Sequence, residues 1–193
     1  ANCEKILKCL TLAEKNSTPV VYILNSLGVQ VGEGVTVLEG LASVLAKSAR
    51  LHGVVPQFTI VKGEVYGQAA LFTANADFNF FLKEGVLAAN SPLVISAKSG
   101  KNLPKEEVGG AKALDKTNLV SFTAENMAEI RSKIFKIIDL LPDYNSVFVE
   151  NGADLNRANA KLNQQCSSDE LVKAVFDAES FVEVGNAYSP EVK

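Results

Sequence analysis

The chain has 193 residues, enough for one domain with a substantial core. Its composition, 47% hydrophobic and 21% charged, is that of an ordinary globular protein. A net charge of -3 and a pI near 5.3 exclude the clustered basic face of a nucleic-acid binder, and no apolar run approaches the roughly 18 residues of a membrane span.

Helix and strand patterns alternate along the chain. Residues Glu4 to Lys15 place Ile6, Leu7, Leu10 and Ala13 at helical spacing, so an amphipathic helix is expected there. Pro19 to Leu24 (PVVYIL) is a short β-branched run that reads as a buried strand. Asn25 to Gly34 reads as a glycine-containing turn, with Gly32 a turn residue only, and Val35 to Leu51 as a second helix. Next comes the most informative stretch, GVVPQFTIVKGEVYGQAALFTANADF, from Gly53 to Phe78. It reads as a strand over Val54 to Val61, a tight turn at Lys62-Gly63, and a helix starting on the small residues of Gly67 to Ala74. A helix start offers unpaired N–H groups, and small residues there admit another group close to the backbone. That suits an oxyanion such as a thioester enolate.

Asp77 to Leu82 and Pro92 to Ser96 are further strand candidates, and Gly109-Gly110 reads as a turn. Asn126 to Leu141 forms an amphipathic helix through Ile130, Ile134, Ile137 and Ile138, stopped by Pro142. Residues 143–168 are polar and Asn-rich, a linker, followed by a short helix over Ser168 to Asp177 with Ser168 as N-cap and an extended tail from Phe181. Strands separated by helices imply an α/β protein with a largely parallel sheet. The N-terminal ANCEKILKCL lacks the basic-then-apolar layout of a signal peptide. Cys3, Cys9 and Cys166 match no metal spacing and read as packing residues of a reduced, cytoplasmic protein. No phosphate-binding P-loop is present, and His52, the single histidine, reads as a helix-end residue.

In order and spacing these residues carry a family likeness. The blocks are Glu4-Lys5-Ile6, then Leu24-Asn25-Ser26-Leu27-Gly28-Val29-Gln30 with Glu33-Gly34-Val35, then Gly53 to Gln57 (GVVPQ). They continue through Gly67-Gln68-Ala69 with Asp77-Phe78, Glu106 to Lys112 (EEVGGAK) and Leu140-Leu141-Pro142, to Asp154-Leu155-Asn156-Arg157 and Phe181-Val182-Glu183-Val184. From end to end the chain resembles the N-terminal, acyl-CoA-binding half of the biotin-dependent carboxyltransferases, the β subunits of propionyl-CoA and acetyl-CoA carboxylases and related decarboxylase subunits.

The resemblance implies a crotonase-like α/β fold, a spiral of β-β-α units, over residues 1–142, with the family's first strands lacking. Residues 143–193 would then lead toward a C-terminal half that this chain does not contain. It implies an acyl-CoA thioester held by the backbone N–H groups of Gly67 and Gln68, with Ser26, Leu27, Gly28, Val29 and Ala69 along the acyl group. Carboxyl transfer runs to or from biotin carried by a partner protein, so no cofactor is bound covalently and no metal is required. The implied partners are a biotin carrier protein, a chain supplying the C-terminal half, and further copies in a trimer or larger ring. Such chemistry needs fixed donors rather than a nucleophile, in keeping with the lack of a Ser-His-Asp or Cys-His set.

The chain departs from the family pattern at Leu27, Val29 and Gln30, at Gln68 where a second glycine is usual, and over Leu114 to Val120. Two further readings stay open on those grounds. One is a stand-alone crotonase-like CoA-ester hydrolase, isomerase or decarboxylase using Glu33, Glu64 or Tyr66 as acid or base. The other is a non-catalytic assembly subunit.

Overall fold

The structure, a computed structural model, describes residues 2–141 and 165–189. Pro142 and the linker as far as residue 164, with the Asp154-to-Arg157 block, lie outside them. Two compact units divide the chain, Ala1–Met127 and Ala128–Lys193.

The first unit is built on a parallel sheet. Helix α1 (Asn2–Asn16) leads to β1 (Val20–Ser26), then α2 (Val35–Leu51) and the long β2 (Gln57–Tyr66). A 3-10 segment (Gly67–Leu71) runs into α3 (Phe72–Asn75), and β3 (Phe78–Leu82) and β4 (Val86–Ala88) follow. Three short helices, α4 (Pro92–Ser99), α5 (Lys105–Gly109) and α6 (Ala111–Leu114), precede β5 (Phe122–Ala124). The sheet order is β1-β2-β3-β5, with β4 also paired to β2.

Strand periodicity sorts the side chains onto two faces. On one, Leu24, Val61, Val65 and Phe81 pack with Leu10 of α1 and Val44 and Leu51 of α2. The two helices approach closely at Gly40, where an added Cβ would lie 3.1 Å from Cys3 Sγ. Cys3 is thus a packing residue, whereas Cys9 is exposed and serves no packing role. On the other face Phe58, Phe80 and Phe122 form a ladder across three strands, with ring centroids 6.4 and 4.9 Å apart.

Two expected boundaries change. The turn expected at Lys62-Gly63 is instead a bulge inside β2. Leu24 pairs with Val61 but Ser26 pairs with Val65, so two steps along β1 span four along β2. Gly63 lets the Asn25 side chain lie there, since a Cβ would come within 2.7 Å of its Oδ1. Below the bulge β2 pairs with β3, and beyond it with β4, so the bulge turns the strand's end away from the main sheet. Strand β2 also begins at Gln57 rather than Val54, because Leu51 still accepts the N–H groups of Val54 and Val55.

The strand expected at Pro92 to Ser96 is helix α4. Ser91 caps it by accepting the Val94 N–H, and Pro92 sits at its first turn where no donor is needed. Leu93 stands 80% exposed, which a buried strand would not allow.

Gly109 and Gly110 do more than turn the chain. A Cβ on Gly109 would lie 2.2 Å from the Leu87 carbonyl oxygen, so α5 sits directly on the backbone of β4. Gly109→Ala must push these apart. The expected loss is about 2–3 kcal/mol of stability, read as a lower denaturation midpoint with an unchanged m-value.

In the second unit, α7 (Met127–Leu140) buries Ile130, Ile134 and Ile137 along one stripe, as its period requires. An i,i+4 Glu129–Lys133 pair stands at 3.1 Å on the helix. Helix α8 (Ser168–Val175) is capped by Ser167 rather than Ser168: Ser167 and Glu170 form a reciprocal capping box. The tail expected to be extended makes a turn, with the Tyr188 N–H donating to Gly185.

Candidate functional site

Strands β1 and β2 run parallel, so their carboxyl ends lie side by side, the usual position of a ligand crevice in an open α/β sheet. The loop after β1 carries Leu27-Gly28-Val29, and the segment after β2 carries Gly67-Gln68-Ala69. Both glycines adopt positive φ, 119° at Gly28 and 68° at Gly67, a region that favours glycine. A Cβ on Gly67 would lie 3.9 Å from the Gly28 Cα, so two backbones without side chains face each other at close range. These residues lie 39 positions apart (67 minus 28), and the fold joins them.

The helix expected from Gly67 opens as a 3-10 segment and becomes α-helical at Phe72. In a 3-10 segment the first N–H groups have no partner within the helix itself. These are the N–H groups of Gly67 and Gln68. Tyr66, extended at φ -125° and ψ 158°, delivers the chain from β2 into them.

Around this pair the other expected residues divide. Ser26 fixes the loop: its Oγ accepts the Gly28 N–H at 3.4 Å. Leu27 is 74% exposed, Val29 and Gln68 are half-buried, and the Ala69 methyl packs on the core cluster. Sequence reasoning singled out both glycine segments but not their contact, which depends on the register of β1 against β2.

Next to Gly67 lies a polar cluster that spacing along the strand could have indicated. The Tyr66 hydroxyl donates to Glu64 Oε2 at 2.9 Å, and Lys105 Nζ donates to Glu64 Oε1 at 2.9 Å. Burial, and then the Glu64 carboxylate, pushes the Tyr66 phenol up to about 12. Hydrogen bonds from Lys105 and then Tyr66 hold Glu64 below the usual carboxylate range. Glu64 is therefore ionised and Tyr66 neutral at ordinary pH, which suits a fixed latch between β2 and α5 better than a proton donor. Glu33 is exposed, and its carbonyl accepts the Thr36 hydroxyl at 2.7 Å. His52 closes α2, with Nδ1 3.4 Å from Asp77 Oδ1, away from the glycine pair in the topology.

A raised phenol stabilises the fold below its unfolded value of 10 and loses that contribution as pH climbs through 12. Alkaline titration of the phenolate absorbance, taken as wild type minus Tyr66→Phe, is expected to centre near 12. Glu64→Gln should bring it part of the way down, leaving the share caused by burial.

A family model described as carboxyl transferase domain matches residues 1–192. The propionyl-CoA carboxylase beta chain of Cereibacter sphaeroides is 27% identical across 99% of this chain. The methylmalonyl-CoA decarboxylase subunit alpha of Veillonella parvula is 27% identical across 97% of it. This chain spans 40% of the length of each. Among solved structures, transcarboxylase 12S, a hexamer with methylmalonyl-coenzyme A and methylmalonic acid bound, superposes with a TM-score of 0.84 at 24% identity, over 97% of this chain and 39% of its own. The superposition bears out the crotonase-like α/β fold.

Proposed function

Because the chain belongs to the carboxyl transferase domain family, we propose that it is the acyl-CoA-binding component of a biotin-dependent acyl-CoA carboxylase or decarboxylase. The observation that carries this reading is the Gly28–Gly67 approach at the carboxyl ends of two parallel strands. A thioester carbonyl seated there meets the backbone N–H groups of Gly67 and Gln68. As carboxyl leaves the α-carbon, or as the α-proton leaves it before carboxyl arrives, negative charge moves onto the thioester oxygen. Donors fixed before the reaction stabilise that charge without reorganising. Ser26, Leu27, Gly28, Val29 and Ala69 lie in the two segments that flank the acyl group.

Residues 1–142 form the acyl-CoA domain in this reading, and 143–193 lead toward the half that presents biotin. Biotin is carried by a partner protein, a C-terminal carboxyltransferase half completes the site, and copies assemble into a trimer or larger ring in the cytoplasm. Among the described residues no helix is long and apolar enough to cross a membrane, and no group of His, Cys, Asp and Glu could hold a metal ion.

Methylmalonyl-CoA labelled in its free carboxylate, incubated with this chain, a C-terminal-half chain and a biotin carrier protein, is expected to pass label to biotin. Bound ester with no label on biotin in the complete mixture would contradict the assignment.

A further inference from the structure

The segment carrying Gly67 is held in place by side chains from the sheet rather than by its own helix. Gly67–Leu71 and α3 together span nine residues (75 minus 67, plus one), too few for a self-supporting helix. The last carbonyls of such a helix need outside partners. Asn79 Nδ2 of β3 donates to the Thr73 carbonyl at 3.0 Å. Gln57 Nε2 of β2 reaches the Asn75 carbonyl at 3.4 Å. Within the segment, the Thr73 hydroxyl donates to the Ala70 carbonyl at 2.6 Å, and Asn75 Nδ2 donates to Leu45 of α2 at 3.2 Å.

Both clamping amides are themselves fixed. The Thr59 hydroxyl donates to Asn79 Oδ1, which leaves the Asn79 NH2 group aimed at Thr73. Gln57 is fully buried: its Oε1 accepts from Tyr22 Oη at 2.9 Å and Ser48 Oγ at 2.8 Å, and its Nε2 also donates to the Ser48 carbonyl at 3.0 Å. Burying amides under a sheet is costlier than burying apolar groups of the same size. What a satisfied buried network supplies is a defined geometry.

We propose that Asn79 and Gln57 are positioning residues for carboxyl transfer, clamping the Gly67–Asn75 segment so that the Gly67 and Gln68 N–H groups stand where the thioester oxygen develops charge. The inference rests on the enolate-site reading above and adds which residues set its geometry. Thr59 acts one step further back, by orienting Asn79.

The test reads the bond being polarised. Propionyl-CoA carrying 13C at its thioester carbonyl is bound to the full chain, and the carbonyl stretch is measured by infrared difference spectroscopy. In wild type the band is expected to shift to lower frequency than in free ester. Asn79→Leu should lose most of that shift while still binding the ester. Thr59→Val, which removes one hydroxyl at nearly constant shape, should lose part of it, and Thr59→Ser should restore it. A role confined to stability would lower the denaturation midpoint without moving the band. If Asn79→Leu does not fold, the Thr59 pair decides. A shifted wild-type band that folded variants retain overturns the positioning role alone. A wild-type band that matches free ester overturns the enolate-site reading, and the positioning role with it.

Discussion

Replacing Gly67 with glycolic acid, which exchanges its amide N–H for an ester oxygen, is expected to slow carboxyl transfer by about 10²–10³-fold, or about 3–4 kcal/mol of barrier. Binding of the CoA ester should change little, because the lost bond strengthens only as charge develops on the thioester oxygen. The backbone makes this exchange preferable to a side-chain substitution. Gly67 sits at φ 68°, so proline, fixed near -65°, would move the whole segment as well as remove the donor. A valine would strain the same φ and place its side chain toward Gly28, whose Cα is 3.9 Å from a Cβ at this position. The ester keeps both the φ and the space. The same exchange at Gln68 measures the second donor, and rates of the two single variants and the double variant separate independent donors from a coupled pair.

Phe80→Ala is expected to cost about 3–5 kcal/mol of stability. Phe80 is fully buried and central in the aromatic ladder, 4.9 Å from Phe122 and 6.4 Å from Phe58 by ring centroid. Removing it empties the middle of three strands at once, and its neighbours are themselves in β-strands that cannot collapse far. At roughly 2–4 °C per kcal/mol for a chain of this size, the melting temperature should fall by about 6–20 °C. Phe80→Leu keeps most of the volume and should lose less than half as much. Phe78, half-buried at the start of the strand and stacked 5.6 Å from Phe58, should tolerate truncation better than Phe80.

How far the sequence reveals this molecule depends on how local each signal is. Helix α2 falls on the expected residues because its boundaries are set nearby, by Gly34 before it and the Leu51-His52 end after it. Strands β1 and β3 follow from runs of β-branched and aromatic residues. Strand β1 is not the buried strand expected: it lies at the sheet edge, with Val21 and Ile23 exposed and only Leu24 buried. The errors arise where long-range pairing decides. Lys62-Gly63 has turn composition, yet β1 on one side and β3 and then β4 on the other keep it in the sheet as a bulge. The apolar Pro92 to Ser96 run resembles a strand, but Ser91-Pro92 is a helix start, with the Ser91 side chain accepting the Val94 N–H. Strands β4 and β5, three residues each, are too short to show a period. The glycine segments of the site were legible as motifs. Their contact was not, and neither was the amide network beneath them, because Gln57, Thr59 and Asn79 meet the segment only through the register of β2 and β3.

Calorimetric titration of the purified chain with acetyl-, propionyl-, malonyl- and methylmalonyl-CoA, with free CoA as control, tests the central claim most directly. A CoA-thioester site at Gly28 and Gly67 predicts saturable binding of at least one ester, tighter than free CoA, and weakened by Gly67→Val, whose Cβ would stand 3.9 Å from the Gly28 Cα. Titrations that stay at the heat of dilution for every ester, repeated with a C-terminal-half chain present, would contradict it.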